Sequence, residues 1–489
     1  MSTRREVLKD LTFGQQVAEE EVRNLGKYFV ETEQWRSIAS GNIDIVYGPK
    51  GAGKSALYAL LLDRADSFFD QSILMVSGEN PRGATVFNDL VSDPPTTERE
   101  FVELWKLYFL VLIGDVLREY APNSKGAKQL IATLVDAGLL SVERKFSLKA
   151  ALRAVYDYVR RGPEAIESEI KLDSTTGLPA GIAGKITFRE PSTEHTLAGV
   201  VSVSSLFDLA EETLAATPMT VWILMDRLDV AFADSAQLEA NALRALFKAY
   251  LDLLGHEHIR LKIFLRTDIW RRITRDQGFR EASHITRNTV IQWDKSSLMN
   301  LVVRRAIQSP ELLRYSELDG EDNLDDERQQ RLFRCLFPDQ VEIGPNKPKT
   351  FDWILSRTSD GTGQNAPREL IHFLNAARSS ELGRLDLWSG DGEGETIFSR
   401  VAIKNALPEV SKVRLERTIF AEYPELRKYI VDLEQEKTLQ RPGSLSHIWR
   451  VSEQEASAIA EELAGIGFLK SAGQRIHQST GCPFCTGLR

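Results

Sequence analysis

Gly48-Pro49-Lys50-Gly51-Ala52-Gly53-Lys54-Ser55 (GPKGAGKS) stands between a strand-like hexapeptide, Asn42–Tyr47 (NIDIVY), and a strong helix former, Ala56–Ala65 (ALYALLLDRA). It fits G-x-x-x-x-G-K-[ST], and strand, glycine loop and helix in that order are the context in which this pattern binds phosphate. Gly48, Gly51 and Gly53 let the backbone wrap closely with its N–H groups turned inward. The helix that follows adds the positive end of its dipole. The segment Gly48, Pro49, Lys50, Gly51, Ala52, Gly53, Lys54, Ser55 and Ala56 is therefore the predicted cradle for a nucleoside triphosphate. Lys54 is placed to reach the β- and γ-phosphates, and the Ser55 hydroxyl to hold Mg²⁺.

Beyond the loop, apolar runs predict further strands at Ser72–Ser77 (SILMVS), Thr220–Met225 (TVWILM), Ile259–Leu265 and Thr289–Trp293. TVWILM is apolar throughout, as strands buried on both faces are. Gln237–Leu254 has a helical apolar stripe of Leu238, Leu243, Leu246, Phe247, Tyr250 and Leu254. Strands alternating with helices imply an α/β fold with a parallel sheet. Residues 81–200 read as a mostly helical insertion, with helices over Phe101–Tyr120 and Ser147–Arg161 and a polar, hairpin-like Lys171–Arg189. After Trp293 the strand signals fade into helices. Residues 294–382 form one such stretch, and a Gly-rich acidic linker, Ser389–Glu395, opens the last. There Ser452-Glu453-Gln454-Glu455 is a capping box and Phe468-Leu469-Lys470 a short strand. The boundaries are 1–293, 294–382 and 383–489.

A phosphate loop needs a second carboxylate at a strand end to hold Mg²⁺. Asp226, the first polar residue after TVWILM, is the candidate, because a carboxylate there is costly unless it serves something. Hydrolysis further needs a group that orients water. Many such ATPases place Glu directly after the metal Asp; here that position is Arg227. Asp229 is the candidate in its stead, with Glu79, after the second strand, in reserve. Arg266 and Thr267 end the fourth strand, where they face a γ-phosphate in a parallel sheet. Arg287 precedes the fifth strand, where an arginine reaches a neighbouring subunit's nucleotide or simply pairs with an acid. Pro367 and Arg368 stand at a helix start, from which Arg368 can touch phosphates. Cys482 and Cys485 have metal-ligand spacing, with His477 near but no fourth ligand, so unligated cysteines are the plainer reading.

Composition limits the rest. The 489 residues exceed one core, and a net charge of −9 lacks the basic field of a dedicated nucleic-acid binder without excluding a local basic face. The longest apolar run, Leu107–Ile113, is far too short to span a membrane, and three cysteines build no disulfide framework. A soluble cytoplasmic protein is expected, with no membrane partner.

Taken in order, Tyr28–Thr32, GPKGAGKSAL, ILMDRLDVAF, IFLRTDIW, ITRNTVIQW and NAPRELIHFLNAAR resemble a bacterial family of P-loop ATPases of the additional-strand class, related to AAA+ and STAND/KAP-type ATPases. The resemblance covers about Phe13 to Arg378. It implies a five-stranded parallel sheet of order 5-1-4-3-2, a helical lid and a C-terminal winged-helix-like domain. It implies sensor-1, arginine-finger and sensor-2 positions for Arg266, Arg287 and Arg368, adenine near Phe29, and a bacterial antiviral or conflict setting.

Two functions compete on these grounds. One is an ATP-driven, homo-oligomeric switch that regulates an unknown protein partner. The other is a DNA-remodelling ATPase using its winged-helix-like domain. A GTPase is disfavoured, since Asn346-Lys347-Pro348-Lys349 lacks the aspartate of the guanine motif, and no acceptor pocket for a small-molecule kinase is identifiable.

Overall fold

A computed structural model describes residues 3–15, 20–80, 85–87, 94–95, 97–143, 146–161, 185–197, 199–228, 235–275, 278–317, 325–360, 363–387, 396–472 and 475–478. They form two compact units: Glu33–Gly48 with Lys54–Val290, and Met1–Thr32 with Pro49–Gly53 and Ile291–Arg489. Asp229, Cys482, Cys485 and the linker Ser389–Glu395 lie outside the described residues.

The first of these units is built on five parallel strands, β1 (Ile45–Gly48), β2 (Ile73–Ser77), β3 (Thr220–Met225), β4 (Ile259–Arg266) and β5 (Asn288–Val290). Their order is β2-β3-β4-β1-β5, the expected 5-1-4-3-2. Val221 through Met225 are all buried, as a strand covered on both faces requires. Register sets the edges: Gly48 lies beside Arg266, and Met225 beside Ile263. The ends of β1, β3 and β4 therefore share one edge of the sheet, and Arg287 and Asp44 lie at the other.

Within the expected insertion, one long helix packs into the core of the strands. The helix Glu98–Tyr120 buries Phe101, Trp105, Tyr108 and Leu112 in the same core as the strands, and the Trp105 indole donates to the Ala242 carbonyl at 2.9 Å. A helix apolar on every side, as Leu107–Ile113 is, must be enclosed rather than lie on a surface. Pairing near the expected hairpin is parallel, Ile186–Thr187 against Val201–Ser202; residues 171–184 lie outside the described part.

In the other unit, Val7, Leu8, Leu11 and Phe13 share a core with Leu332, Phe351, Phe373 and Ile403, so the N-terminal helix Arg4–Asp10 packs with helices that follow residue 294. The Arg4 guanidinium meets the Glu381 carboxylate at 2.7 Å, and both are buried. The long helix Pro367–Leu387 packs on Arg400–Arg414 in that core.

The chain then runs through β6 (Leu439–Gln440), the helices Pro442–Trp449 and Glu453–Gly465, β7 (Leu469–Ala472) and β8 (Arg475–Gln478). These strands form an antiparallel sheet of order β6-β8-β7, which is winged-helix topology. Its own core holds Leu445, Trp449, Ile459 and Leu463. No helix among the described residues is long and apolar enough to cross a membrane.

Candidate nucleotide site

The glycine loop leaves β1 at Gly48 and feeds the helix Lys54–Asp63, which Leu57, Tyr58, Leu60 and Leu61 anchor by burial. Gly51 and Gly53 have φ of +79° and +100°, a region where side chains are strained. The Lys54 ammonium donates to the Gly48 carbonyl at 2.9 Å, so the loop closes on its own lysine.

The crown of the loop, Pro49–Gly53, is held by distant parts of its unit. The Arg368 N–H points at the Gly51 carbonyl at 3.4 Å, and a Cβ on Gly51 would stand 2.8 Å from the Arg368 Cβ. The Trp293 indole donates to the Ala52 carbonyl at 2.8 Å. The Lys50 ammonium pairs with the Glu422 carboxylate. Gly51→Ala is thus expected to destabilise the protein by about 1–2 kcal/mol through its backbone alone. Denaturant unfolding measures this, and an unchanged midpoint would refute the strain.

At the same edge of the sheet, Asp226 follows β3 and is 4% exposed. β2 and β3 leave side by side, with Ser77 opposite Leu224 and the Gly78 N–H bonded to the Leu224 carbonyl at 2.9 Å. Glu79 and Asp226 therefore emerge at neighbouring positions. Glu79 is 1% exposed. Its carboxylate accepts from the Asn80 N–H at 2.8 Å, the Thr85 hydroxyl at 2.6 Å and the Val86 N–H at 3.1 Å. Burial pushes its pKa up; these hydrogen bonds and the Arg227 charge pull against it. Three donors on one carboxylate make Glu79 the tie of its own loop.

Arg266 forms a two-point pair with Asp268, at 3.1 and 2.6 Å. The neighbouring Thr267 hydroxyl oxygen is buried with no hydrogen-bond partner among the described residues. Arg368 stands in the first turn of its helix, after Pro367. Tyr28, next to Phe29, lies under the Arg305 guanidinium at 4.4 Å.

Arg287 is brought elsewhere. It sits at the opposite edge, where its Nε lies 3.1 Å from Asp44 Oδ2 and its Nη2 donates to the Gly41 carbonyl. Asp44 also binds the Lys262 ammonium at 2.9 Å and accepts from the Tyr250 hydroxyl at 3.3 Å. The arginine thus completes a buried ion cluster within one chain.

Within the unit that holds the sheet, an ammonium (Lys54) is of a kind that suits phosphate, and a hydroxyl (Ser55) and a carboxylate (Asp226) of a kind that suits a hard cation. Reading along the chain did not single out Trp293 and Glu422, whose contacts join positions 241 and 372 residues apart. The architecture is that of a P-loop nucleoside-triphosphatase fold, with β4 intervening between β1 and β3.

No protein-family model matches the chain, and no curated protein matches it. Among solved structures, a Walker-type ATPase of Pyrococcus abyssi is similar at 12% identity and a TM-score of 0.38, covering 94% of this chain and 95% of its own. The ORC2 protein of Aeropyrum pernix, in ADPNP–ADP complexes, is similar at 13% identity and a TM-score of 0.30, covering 94% of this chain and 88% of its own.

Proposed function

We propose that the chain is an ATP-binding and ATP-hydrolysing switch whose helical and winged-helix parts respond to the nucleotide. The observation that carries this is the phosphate loop itself: Gly51 is in contact with Arg368, Ala52 with Trp293, and Lys50 with Glu422. A ligand on this loop acts on residues of the proposed lid, 294–382, and of the proposed C-terminal domain, 383–489. Mg²⁺ would be held by Ser55 and Asp226, and supplies charge neutralisation of the phosphates when bound. Arg266, Thr267 and Arg368 are the proposed sensors, and Asp229 the proposed water-orienting carboxylate.

A protein partner is favoured over DNA. The second helix of the winged-helix part, Glu453–Gly465, exposes Glu453, Glu455, Glu461 and Glu462 and carries no Lys or Arg. A helix that enters a groove meets phosphates, and this face repels them. Homo-oligomerisation and a role in bacterial antiviral defence remain proposals from the family resemblance. Arg287 is the residue the resemblance offers for the first, and within one chain it pairs with Asp44.

The test is direct. Purified protein is titrated with ATP with and without Mg²⁺, its turnover measured, and its native mass recorded with and without an ATP analogue. Tight Mg²⁺-dependent binding and a nucleotide-dependent mass are expected, and Asp226→Ala should remove the Mg²⁺ dependence. Folded protein that takes up no nucleotide ends the proposal. DNA-stimulated turnover with a steep salt dependence would restore the DNA reading.

A further inference from the structure

Arg227 stands directly after the candidate metal aspartate, and its backbone is left-handed, with φ +58°. A residue with a Cβ adopts that conformation at a cost and keeps it only where the surroundings impose it. Its side chain is anchored as well. The guanidinium Nη1 donates to the Asn80 carbonyl at 3.2 Å. The Asn80 N–H in turn donates to the Glu79 carboxylate at 2.8 Å, so the Asn80 backbone is held at both ends.

The same corner is tied to the helix that begins at Lys54. The Tyr58 hydroxyl lies 2.5 Å from the Ser77 hydroxyl and donates to the Glu79 carbonyl at 3.1 Å. It is tied to the long helix Glu98–Tyr120 as well, because the Tyr108 hydroxyl donates to the Gly78 carbonyl at 2.9 Å. Gly78 admits no side chain without a shift, since a Cβ there would lie 2.3 Å from the Met225 sulfur. Two nearly buried carboxylates, Glu79 and Asp226, follow the paired strands β2 and β3 out of the sheet at neighbouring positions.

We infer that Arg227 is a positioning residue: its guanidinium clamps the Asn80 carbonyl and so holds the exit of β2, with Glu79 and Asn80, against the exit of β3, with Asp226. It rests on the ATPase reading only for its kinetic consequence. Turnover needs the clamp, because small misplacements around a reacting group cost large factors in rate. Nucleotide binding, carried by the loop and Lys54, does not.

The test uses Arg227→Ala, Arg227→Gly and Arg227→Lys in the full chain. Glycine adopts the left-handed backbone freely, so Arg227→Gly removes the guanidinium without strain. ATP affinity is expected to stay within about threefold, while turnover falls by about 10–100-fold in the Ala and Gly variants and recovers in part with Lys. Hydrogen–deuterium exchange at the Asn80 and Val86 amides reads the clamp without any hydrolysis. It should quicken by about tenfold in Arg227→Gly. Unchanged exchange overturns the positioning role whatever the kinetics. Quickened exchange with wild-type turnover, or with affinity falling in step with turnover, overturns its link to hydrolysis. A wild-type protein that binds ATP and never turns it over defeats the hydrolysis reading alone, and exchange still decides the clamp.

Discussion

Lys54→Ala is expected to weaken ATP binding by at least about a hundredfold, the loss of roughly two charge-assisted hydrogen bonds to phosphate. The Lys54 ammonium, half-buried at the start of its helix and 2.9 Å from the Gly48 carbonyl, is already folded over the loop. Little reorganisation is needed for it to meet a phosphate, so most of its interaction energy appears as affinity. The fold should survive, because the helix is anchored by Leu57, Leu60 and Leu61 rather than by its first residue. Calorimetric titration with ATP and Mg²⁺, paired with a thermal melt, measures both parts. A Kd within tenfold of wild type in a folded variant would remove the phosphate loop from the site.

The loop and its surroundings were legible for physical reasons. Gly51 and Gly53 occupy backbone conformations that glycine alone enters freely, so the motif reports its own geometry. Asp226 stood out because five apolar residues precede it in a strand that must be buried. The strand order came from the family resemblance, since no pattern along one chain states which strands are neighbours.

Other features were readable but carried a second meaning. An arginine before a strand serves a trans contact or an ion pair equally well, and the pair of Arg287 with Asp44, 1% exposed, could not be read from its position. A signal for that cluster existed. Lys262 interrupts the apolar strand IRLKIFLR, and a lysine enclosed there demands a carboxylate. The pairing of Arg4 with Glu381, 377 residues apart, left no trace at all, because a buried ion pair has no local period.

Removing the carboxylate of that cluster tests this assignment most severely. Asp44→Ala is expected to destabilise the protein by about 3–5 kcal/mol, the cost of leaving a buried charge without its partner. The stranded group is Lys262, 1% exposed, whose ammonium otherwise lies between Asp44 at 2.9 Å and the Trp222 ring at 4.2 Å. The Tyr250 hydroxyl loses an acceptor as well. Burial already lowers the Lys262 pKa, and Asp44 is what holds it up. In the variant it falls further, so the unfolded chain binds a proton that the native protein binds less readily. Stability must then rise with pH between the depressed native pKa and the ordinary lysine value of about 10.4, and the deficit against wild type must shrink over that window. Urea unfolding at a series of pH values reads this slope; a deficit that does not vary with pH would mean the ammonium is not the stranded charge. Arg287→Ala should cost less, because its side chain is 30% exposed and Asp44 keeps Lys262. An Arg287→Ala protein that is as stable as wild type but has lost an oligomer-dependent turnover would return the arginine to the subunit boundary and leave Lys262 as the partner that Asp44 serves.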